Sequence, residues 1–444
     1  MFASPEFITA VLIIGLTVML VNGYPLGIMV GALALICGIP LFGGPATIEM
    51  LYGRMWDSMF NYGLLAIPLF IFMGQMMSSS GIAEKLFDAV TIITGRMRGG
   101  LAYAVVFIGT LLAACIGTAG SSTSLLSYMA MPSMLNSGYD KRLSSGIIAG
   151  AGTLGILIPP SVMLIVMGPV MGLSAGRLFF AAIGPGLLLA LIYAVYILII
   201  SYVRPGALPV PAISPIKVPV GAKIRLFSVS ALPSLLIIFA VMGAIFFGIA
   251  PPAEAGAIGA FLAAVMALAY RKLTPKVFKD VTMSSVLVTG QVLLMIVFCS
   301  AFVGIFVRGG GMEVVEKLIM NTPGGKWGIF IAIQLIIFIL GGPLDWMGVV
   351  LIVVPIVTPI GTALGFDPLW WAIVICVNLQ TSFLSPPLAT AIYIIQTTSP
   401  PKSGVTVKDV TMGVLPFMGL QLIGVALLVV FPQIVMWLPS LMLG

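Results

Sequence analysis

Gly155-Ile156-Leu157-Ile158-Pro159-Pro160-Ser161 and Thr381-Ser382-Phe383-Leu384-Ser385-Pro386-Pro387 each interrupt a long apolar run with two consecutive prolines. Proline has no N–H and its ring clashes with the carbonyl one turn back, so each pair breaks a helix and strips the preceding turn of donors. The pairs lie 227 residues apart (386 − 159 = 227), as do Pro25 and Pro252, Pro132 and Pro359, Gly138 and Gly365, and Asp140 and Asp367. Upstream the register slips by a few residues, Glu84-Lys85-Leu86 being echoed at Glu316-Lys317-Leu318, as an insertion in a loop produces. A duplicated apolar chain with a broken span in each half points to a transporter built from two repeats.

Composition sets the class. Of 444 residues, 60% are hydrophobic and 7% charged, with a mean hydropathy of +1.22. A soluble domain carries roughly 25% charged residues, so this chain reads as an all-α polytopic membrane protein. The stretches Leu187 to Ile200, Ala231 to Phe247, Phe330 to Leu340 and Val414 to Val430 are helix-length runs without the alternation of barrel strands. The run Phe7 to Val21 lacks the flanks of a signal peptide and reads as a retained first span. Cys37, Cys115, Cys299 and Cys376 all sit in apolar runs without metal-ligand spacing, and there is no histidine. The formal charge of +7 lies in loops, with no basic patch interleaved with aromatics, which argues against a nucleic acid partner.

Cytoplasmic loops are enriched in Lys and Arg. Arg96 to Arg98, Lys141-Arg142, Arg204 to Arg225 and Arg271 to Lys279 are therefore placed inside, and both termini in the periplasm. The counterpart of Lys141-Arg142 is Pro368-Leu369, and that of Arg271 to Lys279 is the stretch Glu49 to Asp57, which holds two acids and one Arg. Equivalent loops carry opposite bias, as inverted repeats require. Leu101 to Leu135 then leaves and re-enters the same side and must be a re-entrant hairpin, turning at Gly117-Thr118-Ala119-Gly120-Ser121-Ser122. Its partner runs from Lys326 to Leu364 and turns at Gly341-Gly342-Pro343-Leu344-Asp345-Trp346. Each hairpin precedes a broken span, Ser144 to Gly172 and Leu369 to Gln396. Freed carbonyls beside Ser and Thr hydroxyls form an oxygen cage suited to Na⁺, and the half-helix N-termini suit an anion.

With Gly120-Ser121-Ser122, Gly150-Ala151-Gly152-Thr153 running into the first break, Gly365-Phe366-Asp367-Pro368-Leu369-Trp370-Trp371, and Val377-Asn378-Leu379-Gln380 running into the second, nearly the whole chain resembles the large membrane subunit of TRAP (tripartite ATP-independent periplasmic) transporters, the DctM type. The resemblance implies an elevator-type, ion-transporter-like fold in the bacterial inner membrane, driven by a Na⁺ gradient. It also implies a small four-helix membrane subunit (DctQ type) as a separate polypeptide, and a periplasmic substrate-binding protein (DctP type) that delivers an organic anion, carboxylate or sulfonate. Carried over by residue, it implies a first Na⁺ held by the Ser121 and Ser124 hydroxyls with the carbonyls of Gly155, Ile158 and Pro160. A second would use Gly342, Asn378, Thr381 and Leu384. The substrate is expected between the tips, near Ser122, Thr123, Asp345, Ser382 and Ser385. Asp345, an isolated intramembrane carboxylate, reads as a gating or Na⁺-tuning group, or as a cap on the helix that starts at Trp346.

The expected plan is scaffold helices over 1–100, a first transport segment over 101–175, scaffold again over 176–325 with the cytoplasmic loop 204–225, a second transport segment over 326–400, and a closing span within 401–444 placed at Met412 to Trp437. Arg308 reads as a snorkelling interface cation and Glu254 as a helix cap. A self-sufficient Na⁺/anion symporter is the alternative within transport. An intramembrane enzyme is disfavoured because no His, carboxylate pair or Ser/Lys nucleophile arrangement is present. An ion channel fits two separate cation cages less well than stoichiometric coupling does. The topology has a direct test: single cysteines introduced at Lys141 and Lys326 are expected to label from opposite sides of the membrane, and labelling of both from one side overturns the inverted arrangement.

Overall fold

A computed structural model describes residues 4–21, 24–94, 97–210, 219–386, 389–401 and 403–442; Arg96, Pro387 and positions 211–218 of the 204–225 loop lie outside them. The described chain is helical, without strands. The first half comprises α1 (Pro5–Val21), α2 (Leu26–Phe42), α3 (Gly44–Met59), α4 (Ala66–Ser79), α5 (Ile82–Thr94), α6 (Gly100–Ile116), α7 (Ala119–Asn136), α8 (Lys141–Thr153), α9 (Val162–Met171) and α10 (Ala175–Val203). The second comprises α11 (Val220–Phe246), α12 (Pro252–Ala269), α13 (Pro275–Arg308), α14 (Gly311–Met320), α15 (Gly325–Gly341), α16 (Trp346–Ala363, with a π-helical turn at Val349–Val353), α17 (Pro368–Leu379), α18 (Thr390–Thr398) and α19 (Val407–Val430). Seven helices among the described residues are long and apolar enough to cross a membrane. The broken-span segments are not: α8 has 13 residues and α9 has 10, about 20 and 15 Å against a hydrocarbon core of about 30 Å.

The sequence repeat is a repeat of elements. α7 and α16 coincide at the 227-residue offset at both ends (346 − 119 = 227; 363 − 136 = 227), and α8 and α17 start in register (368 − 141 = 227). The repeated Gly-aromatic-Asp triplet is the turn joining each hairpin to its broken span. Gly138 and Gly365 are left-handed, with φ of 81° and 72°. Tyr139 N–H closes on the Met134 carbonyl and Phe366 N–H on that of Gly361, at 3.0 and 3.1 Å, the six-to-one closure of a helix end. Asp140 and Asp367 then cap α8 and α17, accepting from the amides of Leu143 (2.9 Å) and Leu369 (2.9 Å).

The halves pack reciprocally. α2 lies on α13 and α12 on α4, the counterpart of the second part of α13; α5 lies on α11 and α14 on α1; α8 lies on α19 and α17 on α10; α7 lies on α18 and α16 on α9. Such reciprocal contacts are what a pseudo-two-fold relation between the halves requires. α6 contacts α4, α5 and α11 as well as α7, α8 and α10. The broken-span helices are buried throughout from Ser144 to Thr153 and from Leu369 to Leu379.

α10, within the segment 176–325, has α6, α9, α17 and α19 as its main neighbours, with aromatic contacts to α4 and α11 near its start (Phe179 to Phe70, 6.0 Å; Phe180 to Phe246, 5.1 Å). The closing span starts at Val407, where Thr406 and Asp409 form a capping box, and ends at Val430, because Phe431 precedes Pro432 and leaves the helical region.

Glycine sets the closest crossing. A Cβ at Gly146 of α8 would collide with the Gly413 carbonyl of α19, and one at Gly413 with the Arg142 carbonyl. Gly146→Ala is therefore expected to destabilise the protein by about 1–3 kcal/mol, seen as a lowered thermal transition in detergent, while Gly243→Ala, in open space within α11, leaves it unchanged or raised.

Candidate transport site at the hairpin tips and broken spans

α8 gives way to one 3₁₀ turn, Leu154–Ile156, and α9 resumes at Val162. The helical partners of the Gly155 and Ile156 carbonyls are Pro159 and Pro160, which have no N–H to offer. The Leu154 carbonyl takes both the Leu157 and Ile158 amides at 3.0 and 2.9 Å, and the Ser161 hydroxyl donates to the Ile156 carbonyl. The Gly155 carbonyl is left, in a segment buried from Leu154 to Ser161.

The first hairpin tip is stitched to this break. Gly117, left-handed with φ 70°, accepts from Val162 N–H at 3.2 Å. A Cβ on it would stand 2.8 Å from the Pro160 carbonyl oxygen, so only glycine fits. On the far side of the tip, a Cβ at Gly155 would stand 2.6 Å from Ser122 Oγ and 3.0 Å from the Thr118 carbonyl oxygen. Ser122 Oγ and the Thr118 carbonyl, which already accepts from the Ser122 amide at 3.2 Å, thus lie against the Cα of Gly155. Ser122 Oγ is fully buried and has no hydrogen-bond partner. Thr123 presses its hydroxyl on Gly152, and Ile158 packs under Gly186 of α10. Ser121 and Ser124 are half-buried on other sides of α7, and neither is hydrogen-bonded to the break.

The second break repeats the pattern with different side chains. Leu384 N–H closes on the Thr381 carbonyl at 3.0 Å, the counterpart of Leu157 on Leu154. The Thr381 hydroxyl donates to the Asn378 carbonyl at 2.6 Å and that of Ser382 to the Leu379 carbonyl. Asn378 Nδ2 donates to the backbone carbonyl and Oε1 of Gln334 in α15, at 2.8 and 2.9 Å, which ties hairpin to broken span. Asn378 Oδ1, Gln334 Nε2 and both amide atoms of Gln380 are buried without partners. Ser385 is buried; Pro386 is described and Pro387 is not.

The tip at Gly342 and Asp345 opens on a cavity of about 280 Å³, walled by Tyr24, Leu26, Gly342, Asp345, Ser382 and Thr390 among others. Asp345 stands at the N-cap of α16, turned to the Trp346 and Met347 amides but outside cap hydrogen-bond geometry, and its side chain is open to the cavity. Of the five residues expected around the substrate, Asp345 and Ser382 share this cavity, while Ser122, Thr123 and Ser385 are buried beside the breaks.

Sequence reasoning missed Gln334, Gln380 and Gln421. Gln421 of α19 donates to Thr153 Oγ1 and to the Tyr193 hydroxyl, both at 3.1 Å, and so ties α8 and α10 at the edge of the first break. Gln380 occupies the position equivalent to Thr153 (380 − 153 = 227). An uncharged carboxamide in an otherwise apolar span was the signal available for all three. An unmet buried polar atom costs about 1–3 kcal/mol against a total stability of about 5–15 kcal/mol. Five of them lie at the two breaks: Ser122 Oγ, Asn378 Oδ1, Gln334 Nε2 and two on Gln380.

Residues 13–434 match the family described as tripartite ATP-independent periplasmic transporter, DctM component. The C4-dicarboxylate TRAP transporter large permease protein DctM of Pseudomonas aeruginosa is 30% identical over 409 residues, 90% of this chain and 91% of that one. The ectoine TRAP transporter large permease protein TeaC of Halomonas elongata is 27% identical, with 98% and 99% covered. The sialic acid TRAP transporter large permease protein SiaM of Vibrio cholerae is 29% identical, with 88% and 89% covered. Among solved structures, the Alcanivorax borkumensis YdaH transporter superposes with a TM-score of 0.63 at 13% identity, covering 89% of this chain and 88% of that chain; that likeness is one of fold.

Because Ser122, and neither Ser121 nor Ser124, faces Gly155, Ser122→Ala is expected to lower uptake by the reconstituted protein about tenfold, worth about 1.4 kcal/mol. Ser124→Ala is expected to change it by less than half as much in free energy, with equal amounts of folded protein in both cases.

Proposed function

We propose, on the premise that the chain belongs to the DctM component family of tripartite ATP-independent periplasmic transporters, that it couples organic anion import to Na⁺ at its two breaks. As a multi-pass permease subunit of that family, it serves organic acid uptake together with a binding protein. The finer reading is a Na⁺-driven elevator in which hairpins and broken spans move against α1–α5 and α11–α14, with a DctQ-type small subunit and a DctP-type binding protein as partners.

The observation that carries it is the unpartnered, fully buried Ser122 hydroxyl packed against Gly155, whose carbonyl has lost its helical donor to Pro159. A cage of neutral hydroxyl and carbonyl oxygens suits a small hard cation, and among the described residues no trio of His, Cys, Asp or Glu side chains gathers to offer a charged site instead. Without a fixed counter-charge the ion is released as readily as it binds, which a coupling ion needs. In the second half Asn378 Oδ1 and the Gln380 amide offer the polar atoms, beside Thr381, Leu384 and Gly342. The half-helix starting at Trp346 points its positive end at the Asp345 cavity. There Ser382 and backbone amides would face a carboxylate or sulfonate, while Asp345 repels one and so acts on gating or ion affinity.

The test is uptake in proteoliposomes holding this chain with its small subunit. Uptake is expected to need both an inward Na⁺ gradient and the binding protein. Undiminished uptake with K⁺ in place of Na⁺ overturns the coupling, and uptake without the binding protein favours the self-sufficient symporter.

A further inference from the structure

Away from both tips and both breaks, a cavity of about 660 Å³ lies where the α7–α8 turn, the end of α10 and the start of α19 meet. Its wall includes Asp140, Arg142, Tyr196, Arg204, Met412 and Pro416. Two candidate spans, Ala175–Val203 and Val407–Val430, reach their ends beside it, which sets it at the depth of lipid headgroups. The lipid-facing surface continues from it: Tyr202 is 75% exposed, Val203 68% and Met412 46%.

The polar groups there are sorted by what they already hold. Asp409 pairs with Arg142 Nε at 3.3 Å and is further engaged by the Thr406 capping box. Asp140 caps α8 through the Leu143 amide. Arg142 keeps four of its five N–H donors, and the Arg204 guanidinium has no ion pair among the described residues. Counting Asp409 with the lining residues, two Arg and two Asp balance (2 − 2 = 0), and Arg204 is the cation without an ion pair among the described residues. Pro416, inside α19, has no N–H to give the Met412 carbonyl, which leaves an acceptor at the same wall. One guanidinium without an ion pair, the remaining donors of a second, a free acceptor and an adjoining apolar wall at a span end match a phosphodiester with a hydroxylated head and an attached chain.

We propose that this cleft binds the headgroup of an anionic phospholipid. Arg204 and Arg142 hold the phosphate, the head hydroxyls reach Asp140 and the Met412 carbonyl, and an acyl chain runs along Tyr196, Met412 and Pro416. α8 carries the first break, and α10 and α19 pack on the broken-span helices, so the lipid fastens α8, α10 and α19 to one another.

The experiment places the full chain in nanodiscs of phosphatidylcholine alone or with phosphatidylglycerol, and reads thermal unfolding together with lipid retention by native mass spectrometry. Phosphatidylglycerol is expected to be retained and to raise the transition. Arg204→Gln is expected to weaken its retention about fivefold, equivalent to about 1 kcal/mol. Met412→Glu, at an exposed position where misfolding is not at issue, is expected to do the same by repelling the phosphate, while Lys326→Gln, at the other hairpin base, leaves retention intact. Equal responses to the two lipids overturn the proposal, as does retention unchanged in both Arg204→Gln and Met412→Glu. A matching rise from inorganic phosphate in phosphatidylcholine discs also overturns it, since the cleft would then take a free anion.

Discussion

A backbone carbonyl without a donor, in a medium that has no water to replace it, is the constraint from which this architecture follows. Each proline pair creates such carbonyls at membrane depth, where they are tolerated only inside protein or against a polar cavity. Everything around the breaks answers that requirement. Ser161 covers the Ile156 carbonyl, the Leu154 carbonyl takes two amides, and the hairpin tip closes on Val162 through Gly117. What is left uncovered is the Gly155 carbonyl, with the unpartnered Ser122 hydroxyl close to the Gly155 Cα.

The same constraint explains why the breaks are surrounded by small residues. A hairpin and a broken span pack this closely only when the two backbones nearly touch, and Gly117, Gly152 and Gly155 are the points of approach. The second half reaches the same end with larger groups: a carboxamide bridge from Asn378 to Gln334 holds α15 to α17, and Gly341 lets Ser382 come close. The two breaks are therefore alike in backbone and unlike in side chains, so two ions bound there would meet different shells.

The repeat, the hairpins and the breaks were legible because each rests on residues with a strong backbone preference. Pro159-Pro160, Gly138-Tyr139-Asp140 and Gly365-Phe366-Asp367 state their own conformation, and the structure places the turn and the caps at those positions. Grouping of helices was less legible. α10 is apolar all round, so its sequence does not say which neighbours it prefers, and only packing against α6, α17 and α19 decides it. Within the site, choosing among Ser121, Ser122 and Ser124 needs the rotation of α7 about its axis, about 100° per residue, which the spacing of serines does not contain. Gln334 and Gln421 are single amides in apolar helices with no motif around them, whereas Gln380 lies inside the Val377-Asn378-Leu379-Gln380 motif and only the packing shows its amide buried without a partner.

The reciprocal packing of the halves bears on how the protein is made. α8, with the first break at its end, finds its most extensive partner in α19, and Thr153 receives its hydrogen bond from Gln421, 268 residues further along the chain. As ribosomes deliver spans to the membrane in order, the first half enters with its break, its glycine faces and its Thr153 hydroxyl all lacking the partners that later cover them. That intermediate persists until the last helix arrives. Losing the C-terminal span would therefore leave the N-terminal break, rather than the C-terminal one, as the exposed lesion that membrane quality control meets.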